Sequence, residues 1–433
     1  MGRFASKTVL RALVGCILSL AVVALVGMTT ASAQAVTIRA MMEPHQSTDA
    51  LRALLPEFER ETGIRVILED TPYDTLTSKA LLNFTRRSSD YDIIMDDWVY
   101  GAGFADAGYI VPLDEFIKAD ATHAETHDFV PGYVNAMVRH GSQYGLPIYG
   151  ESTFLMYRKD LFEQYGIAVP TTMDELMEAA RQVYERSEGD VYGITLRGRQ
   201  GIHNVYVWAA FLWAFGGQWF DDQGRPALDS PEAIAATQFY AEILRRYGPS
   251  GVATYGWEEN RLQFQSGRAA MTIDATVNGA LAEDPSQSSV VGKVGYAQVP
   301  LATRATIGSP NSLQVHGLFI SQFSRHKDEA WRFLSWATNK MVQLKSLELY
   351  PNAGVPSLSV MDSDTFQSRY GAFSDAMIDA INNGNIDYLP HVTQSNQIID
   401  LVGIAVSSVL AGSRSAEDAM RDANRQIVEL MGL

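Results

Sequence analysis

Apolar residues along this chain change their period repeatedly, and each change marks an element. Residues 36–42 (VTIRAMM) have the β-branched and apolar make-up of a strand. Glu43-Pro44-His45-Gln46 breaks it, and Leu51, Leu54, Leu55 and Phe58 then recur at helical spacing up to Gly63, the residue type favoured just past a helix end. Residues 64–68 read as the next strand, so the segment is a strand–helix–strand unit with parallel pairing and a right-handed crossover. A third strand, residues 91–95, runs into Asp96-Asp97-Trp98. Loops at the carboxyl ends of such strands are where α/β sheets bind ligands, which draws attention to Glu43, His45, Asp97 and Trp98.

The chain is organised around residues 144–162 (YGLPIYGESTFLMYRKDLF). Tyr144, Leu146 and Ile148 alternate with Gly145 and Pro147, and a second apolar run, Phe154-Leu155-Met156-Tyr157, follows Gly150-Glu151. Two strand-like halves joined at a glycine suit a backbone passing from one domain to another; an ordinary buried strand with a kink fits the same pattern. Beyond it, Thr172 with Glu175 forms a capping box, and Met173, Leu176, Met177, Ala180, Val183 and Tyr184 give the helix one apolar face. A short strand over 192–196, a polar loop from Arg197 to Gly201 and an aromatic-rich run, NVYVWAAFLWAFGGQWF, come next. Helices are expected over 231–247, 326–340 and 396–411 and after Ser415, strands ending at Asp274 and over 294–299 and 315–321, and a Pro/Gly-broken connector over 350–356. The apolar 396–411 run is too short to cross a bilayer and carries Asp400.

A length of 433 residues suggests two to three domains. The formal charge of −16, with no basic stripe among aromatics, argues against nucleic acid as a partner. Arg3, Lys7 and Arg11 precede an apolar run from Leu13 to Met28, and Ala31-Ser32-Ala33 follows, the pattern of a cleaved signal peptide over residues 1–33; an uncut anchor helix is the rival. Cys16 is the sole cysteine and lies in that segment, so the exported chain has no disulfide, thiolate zinc site or cysteine nucleophile.

The chemistry-bearing motifs are few. His123 and His127 stand four apart, but the glutamate between them does not match the zinc-protease pattern and no third ligand is apparent. Gly150-Glu151-Ser152-Thr153-Phe154 lacks the closing glycine of a nucleophile elbow, and neither a phosphate-cradling loop nor a dinucleotide fingerprint is present. No metal and no cofactor are expected. What remains is aromatic and short polar residues at strand ends: Trp98, Tyr206, Trp219 and Trp257 with Asp97, Glu151, Arg199, Asn204 and Asp274. Sugars and polyols present CH faces and a rim of hydroxyls, which stacking rings and bidentate polar groups hold. Core packing is the default role for each aromatic, and a glycosidase uses the same inventory with two carboxylates at a set separation.

Several segments, taken in order, resemble the extracellular solute-binding proteins of ABC importers, in particular the sugar-binding family that includes maltose-binding protein. They are residues 55–64 (LPEFERETGI), 91–94 (YDII) with 108–113 (GYIVPL), 145–147 (GLP) through 157–162 (YRKDLF), 170–176 (PTTMDEL) and 264–271 (FQSGRAAM). The resemblance implies an α/β, two-lobed periplasmic binding protein fold (type II), each lobe a mainly parallel sheet flanked by helices, with a ligand cleft between the lobes. It implies lobe I over 34–149 and 315–350 and lobe II over 150–314 and 351–433, with crossings near Gly150, Val315 and Asn352. Glu151 falls on the acidic position after the first hinge strand, and Tyr206 on an aromatic ligand position. Val277 replaces the stacking tryptophan of the maltose site, and Asp97-Trp98-Val99-Tyr100 is out of step with the maltose pattern. The hinge and the run Ile273-Asp274-Ala275-Thr276-Val277 look closer to sorbitol/mannitol-type members. The expectation is a monomeric periplasmic carrier of a monosaccharide or polyol, or second a disaccharide, that closes on its ligand and delivers it to a membrane permease. Its expected ligand set is Glu43, His45, Asp97, Trp98, Glu151, Arg199, Asn204, Tyr206, Trp219, Trp257, Asp274 and Asn352. An exported glycosidase and a receptor-docking sensory protein are the alternatives.

Overall fold

The computed structural model describes residues 36–120, 125–302 and 308–433. The expected signal peptide and His123 lie outside the described residues. Ten strands are described: β1 (Thr37–Met42), β2 (Arg65–Asp70), β3 (Ile93–Asp97), β4 (Val138–Arg139), β5 (Ser142–Gln143), β6 (Leu146–Glu151), β7 (Thr153–Arg158), β8 (Met271–Ala275), β9 (Val294–Ala297) and β10 (Gln314–Ile320). They form a five-stranded sheet in the order β2-β1-β3-β10-β6, a three-stranded sheet in the order β8-β7-β9, and the small β4-β5 hairpin.

The opening unit forms as its pattern predicts. β1 pairs in parallel with β2 from Thr37↔Arg65 to Met42↔Asp70, and the connecting helix Gln46–Thr62 buries Leu51, Leu54 and Phe58. Gly63 ends that helix at φ 72°, a left-handed conformation, and its N–H returns to Glu59 O. β3 lies parallel to β1, and β10 enters antiparallel between β3 and β6. Pro147 is tolerated because β6 is an edge strand and the register shifts opposite it, between His316 and Gly317.

The two sheets share one extended run of chain. β6 ends at Glu151, a single residue intervenes, and β7 starts at Thr153 in the smaller sheet. The break therefore falls at Ser152 rather than at Gly150. Gly150 serves close approach instead: a Cβ there would sit 2.2 Å from the Tyr133 ring. Its N–H donates to Gly354 O (2.8 Å), so the segment around Asn352 lies alongside. Thr153 binds the third pass, its hydroxyl donating to Pro310 O (3.1 Å) and accepting from Ser312 N–H (2.9 Å) just before β10.

Some details differ from expectation. The smaller sheet pairs antiparallel throughout, β7 standing between β8 and β9. Residues 192–196 make no strand of their own; a parallel bridge, Tyr192↔Ala269, and Thr195 N–H to Met271 O (2.9 Å) attach them beside β8. The helix expected over 326–340 forms as Lys327–Ala337, and a further helix, Lys340–Leu349, follows it, capped by Asn339, which accepts from Val342 N–H (2.9 Å). The helix Tyr73–Thr85, which starts after Pro72, has little apolar asymmetry and no capping side chain, so its pattern does not announce it. The aromatic run forms the helix Ile202–Ala214, buried on every side against helices Pro231–Tyr247 and Ser395–Leu410. No helix among the described residues is long and apolar enough to cross a membrane.

The crossing makes a stability prediction. Gly150→Ala drives a methyl into the Tyr133 ring, and overpacking of this kind costs about 1–3 kcal/mol. Urea unfolding should show a lower midpoint for the variant with an unchanged slope; an unaltered midpoint would mean that the crossing is not tightly packed.

Candidate functional site

Between the two sheets lies a cavity of about 210 Å³. Its large-sheet wall is the turn after β1 (Glu43, Pro44, His45), Pro72 with the start of helix Tyr73–Thr85 (Tyr73, Asp74), Tyr149 and Glu151 of β6, and His316 of β10. Its other wall is Arg197, Arg199, His203, Trp257, Glu258, Glu259 and Val277. The carboxyl ends of β1 and β2 thus face the cavity, as the topology of α/β sheets leads one to expect.

The large-sheet wall is a stack of rings held by carboxylates. His45, Tyr149 and His316 lie nearly parallel, with centroids 4.0 and 4.1 Å apart and tilts of 14° and 16°. Tyr149 Oη donates to Glu43 Oε2 (3.0 Å). His316 Nδ1 is 3.3 Å from the same oxygen, at ion-pair distance but off hydrogen-bond geometry, and Nε2 is 3.9 Å from Asp97 Oδ2. Burial alone would favour neutral His316, but Asp97 and Glu43 outweigh it and lift its pKa to about 9. Burial likewise opposes charge on Glu43, yet His316 prevails and its pKa stays below the ordinary value.

His45 is different. Its Nδ1 accepts the Ser47 backbone N–H (3.2 Å), capping helix Gln46–Thr62, and burial pushes its pKa down to about 4. A neutral ring that accepts at Nδ1 carries its proton on Nε2, and that buried N–H has no partner.

On the opposite wall, Arg197 is held by Asp274, Nε at 3.0 and 3.1 Å from the two carboxylate oxygens and Nη2 at 2.5 Å. Its guanidinium rests 4.6 Å above the Tyr206 ring, and Asn260 donates to the far side of Asp274 (2.6 Å). Arg199 pairs with Glu259 (2.7 Å) nearer the rim. His203, pushed down to about 3 by burial and then by Arg197 and Arg199, meets the Tyr73 ring edge-on at 5.9 Å across the cavity. Glu151, 7 % exposed, sits between the walls; burial raises its pKa to about 7 against the pull of His316 and Arg197.

Of the residues expected from sequence, the structure places Glu43, His45, Glu151, Arg199 and Trp257 on this cavity. Asp97, Tyr206 and Asp274 stand directly behind it, supporting His316 and Arg197. The other expected residues are corrected. Trp98 starts helix Trp98–Asp106 and packs in the core against Phe319, because its strand-end position turns it under the sheet. Asn204 points away, donating to Gly403 O (3.0 Å) and Ser407 Oγ (3.1 Å) to tie two helices together. Trp219 donates to Tyr388 O (2.8 Å) and lines a separate cavity of about 330 Å³ with Trp213 and His391. Asn352 accepts from Gly354 N–H (3.1 Å) within the crossing.

Tyr73, Tyr149, Arg197, His203 and His316 were not foreseen. Two leave a trace in the sequence: His316 interrupts an apolar strand, and Arg197 directly follows Ile194-Thr195-Leu196, two residues before Arg199. Among the described residues no cluster of His, Cys, Asp and Glu could hold a metal ion.

The family model for bacterial extracellular solute-binding proteins matches residues 44–344, which takes in nearly every element that borders the cavity. The chain belongs to that family. Among curated relatives, the mannitol-binding protein of Pseudomonas aeruginosa is 28 % identical over 384 residues, 84 % of this chain and 85 % of that one. A solute-binding protein of Agrobacterium radiobacter K84 in complex with ribitol superposes with a TM-score of 0.85 at 28 % identity, over 91 % of this chain and 98 % of the other. One from Agrobacterium vitis S4 with bound D-mannitol gives 0.84 at 28 %, over 92 % and 98 %. This solute-binding protein therefore has the type II two-lobed fold of its structural neighbours.

The titrations in the cleft set a pH optimum for stability. His316 keeps its proton in the folded chain up to about pH 9, so its contribution is complete below the unfolded value of about 6.5 and is lost as pH rises through about 9. Glu151, raised to about 7, acts in the same direction: the folded chain retains a proton that the unfolded chain releases, so stability falls between about pH 4.5 and 7. His45 and His203, lowered to about 4 and about 3, act oppositely and remove stability as pH falls below about 6.5. Thermal midpoints of the ligand-free protein should decline from pH 7.5 to 9.5, and His316→Gln should flatten that decline. An equal slope in both proteins would show that His316 does not hold its proton there.

Proposed function

We propose that this solute-binding protein is the periplasmic carrier of an ABC importer for a polyol or monosaccharide, which it encloses between its two walls and hands to the membrane permease. The observation that carries the reading is the cavity itself. At about 210 Å³ it is below the roughly 300–1,000 Å³ of sites for drug-sized ligands, and it is lined by carboxylates, arginines and ring N–H groups suited to hydroxyls. Val277 offers no flat ring, and Trp257, its indole N–H fixed on Asn278 (2.8 Å), is the tryptophan on this wall. That favours a short or open-chain ligand over a disaccharide stacked ring by ring. Ribitol and D-mannitol in the neighbouring structures support the same class. Ligand contacts on both walls would stabilise the closed arrangement that a permease recognises.

The contacts we assign are Glu43, His45 Nε2–H, Glu151, Arg197, Arg199 and Trp257, with Tyr73 and His203 meeting across the mouth. A thermal-shift panel of pentitols, hexitols, hexoses, disaccharides and amino acids tests the class. A ligand at about 100 times its dissociation constant adds roughly 2.7 kcal/mol. The expected result is a selective upward shift with one polyol or hexose and no turnover of chromogenic glycosides; a shift with amino acids alone would contradict the reading. Glu151→Ala should weaken the responding ligand at least tenfold by calorimetry, as loss of a charged hydrogen bond worth about 1.5–3 kcal/mol implies.

A further inference from the structure

We infer that the cleft admits uncharged polyhydroxylated ligands and turns away their carboxylate and phosphate derivatives, because each of its cations is already held by a carboxylate of the protein. The inference rests on the reading above and adds the residues that enforce it. Arg197, 4 % exposed, is bound by both oxygens of the fully buried Asp274. Arg199 is bound by Glu259 (2.7 Å) and by Thr254 O (3.2 Å). His316 lies between Glu43 (3.3 Å) and Asp97 (3.9 Å).

An incoming anion would find each cation's charge already offset, and would meet an uncompensated positive charge only by displacing one of these pairings. Asp274 cannot be displaced into water, since its carboxylate is enclosed by Arg197, Asn260 and the backbone N–H of Ala275 (2.7 Å). The anion would also approach the carboxylate of Asp74, which lines the cavity and has no ion-pair partner among the described residues. An uncharged hydroxyl meets none of these obstacles, because it accepts from a paired arginine or from His45 Nε2–H and donates to a carboxylate in the same geometry. Asp274 and Glu259 are therefore positioning residues for specificity, acting through Arg197 and Arg199. Like charges set against each other are a standard means of rejecting the wrong partner.

Calorimetry with matched pairs of one carbon skeleton tests this: D-mannitol against D-mannonate and against mannitol 1-phosphate, and ribitol against D-ribonate. The acid and the phosphate should bind at least about 100-fold more weakly than the parent polyol, as juxtaposed like charges imply. In Glu259→Gln, which releases Arg199 at a half-exposed position, the polyol-to-acid affinity ratio should fall roughly fivefold or more. Asp274→Asn should lower it further; its thermal midpoint is measured alongside, and Glu259→Gln carries the test if that variant does not fold. Equal affinity of acid and polyol in the unaltered protein would overturn the inference while leaving the carrier reading intact. An unchanged ratio in Glu259→Gln would overturn the role of the pairs. Tight binding of an acid with no response to any polyol or hexose would overturn both readings.

Discussion

The structure depends on one crowded place, where three stretches of backbone pass between the sheets within hydrogen-bond reach of each other. Gly150 donates to Gly354, Thr153 ties down Pro310 and Ser312, and Gln314 pairs with Glu151 as β10 begins. Only glycine fits at position 150, against the Tyr133 ring. The same few residues deliver side chains to the cavity, with Tyr149 and Glu151 on β6 and His316 on β10. A change in the crossing therefore alters the floor of the cleft directly, without any relay through the lobes.

Electrostatics in the cleft follow from that placement. Burial at the junction penalises every charge, so charges persist only where a partner offsets the loss of water. His316 persists as a cation between two carboxylates, Arg197 against Asp274, and Glu43 against His316. At His45 and His203 burial outweighs the nearby carboxylates, and both stay neutral. The outcome is a polar but internally neutralised surface with a few orphan donors, a chemistry matched to hydroxyl groups. Burial also gives each histidine a fixed role, cation or N–H donor, at neutral pH.

Much of the fold was legible because its signals are local. The Gly63 helix end, the Thr172 and Glu175 capping box and the alternation through residues 144–158 each record a backbone requirement in a few adjacent residues. The site was legible only in part. Glu43 and His45 were readable because a strand end positions them, and Glu151 because it sits at the crossing. Trp98, Asn204 and Trp219 misled because aromatic and amide residues look alike whether they face a ligand or bind helices together; only the tertiary partners Phe319, Ser407 and Tyr388 distinguish the two. Tyr149 and His316 were missed for the converse reason, since a polar ring inside an apolar strand carries no label until the neighbouring strand brings a second ring 4.1 Å away.

The most direct test is a crystal structure of the protein grown with whichever polyol or hexose stabilises it most. The account predicts density for that ligand between Trp257 and the His45–Tyr149–His316 stack, with hydroxyls on Glu43, Glu151 and His45 Nε2. Density in the cavity beside Trp213 and Trp219 instead, with the cleft between the sheets empty, would contradict it.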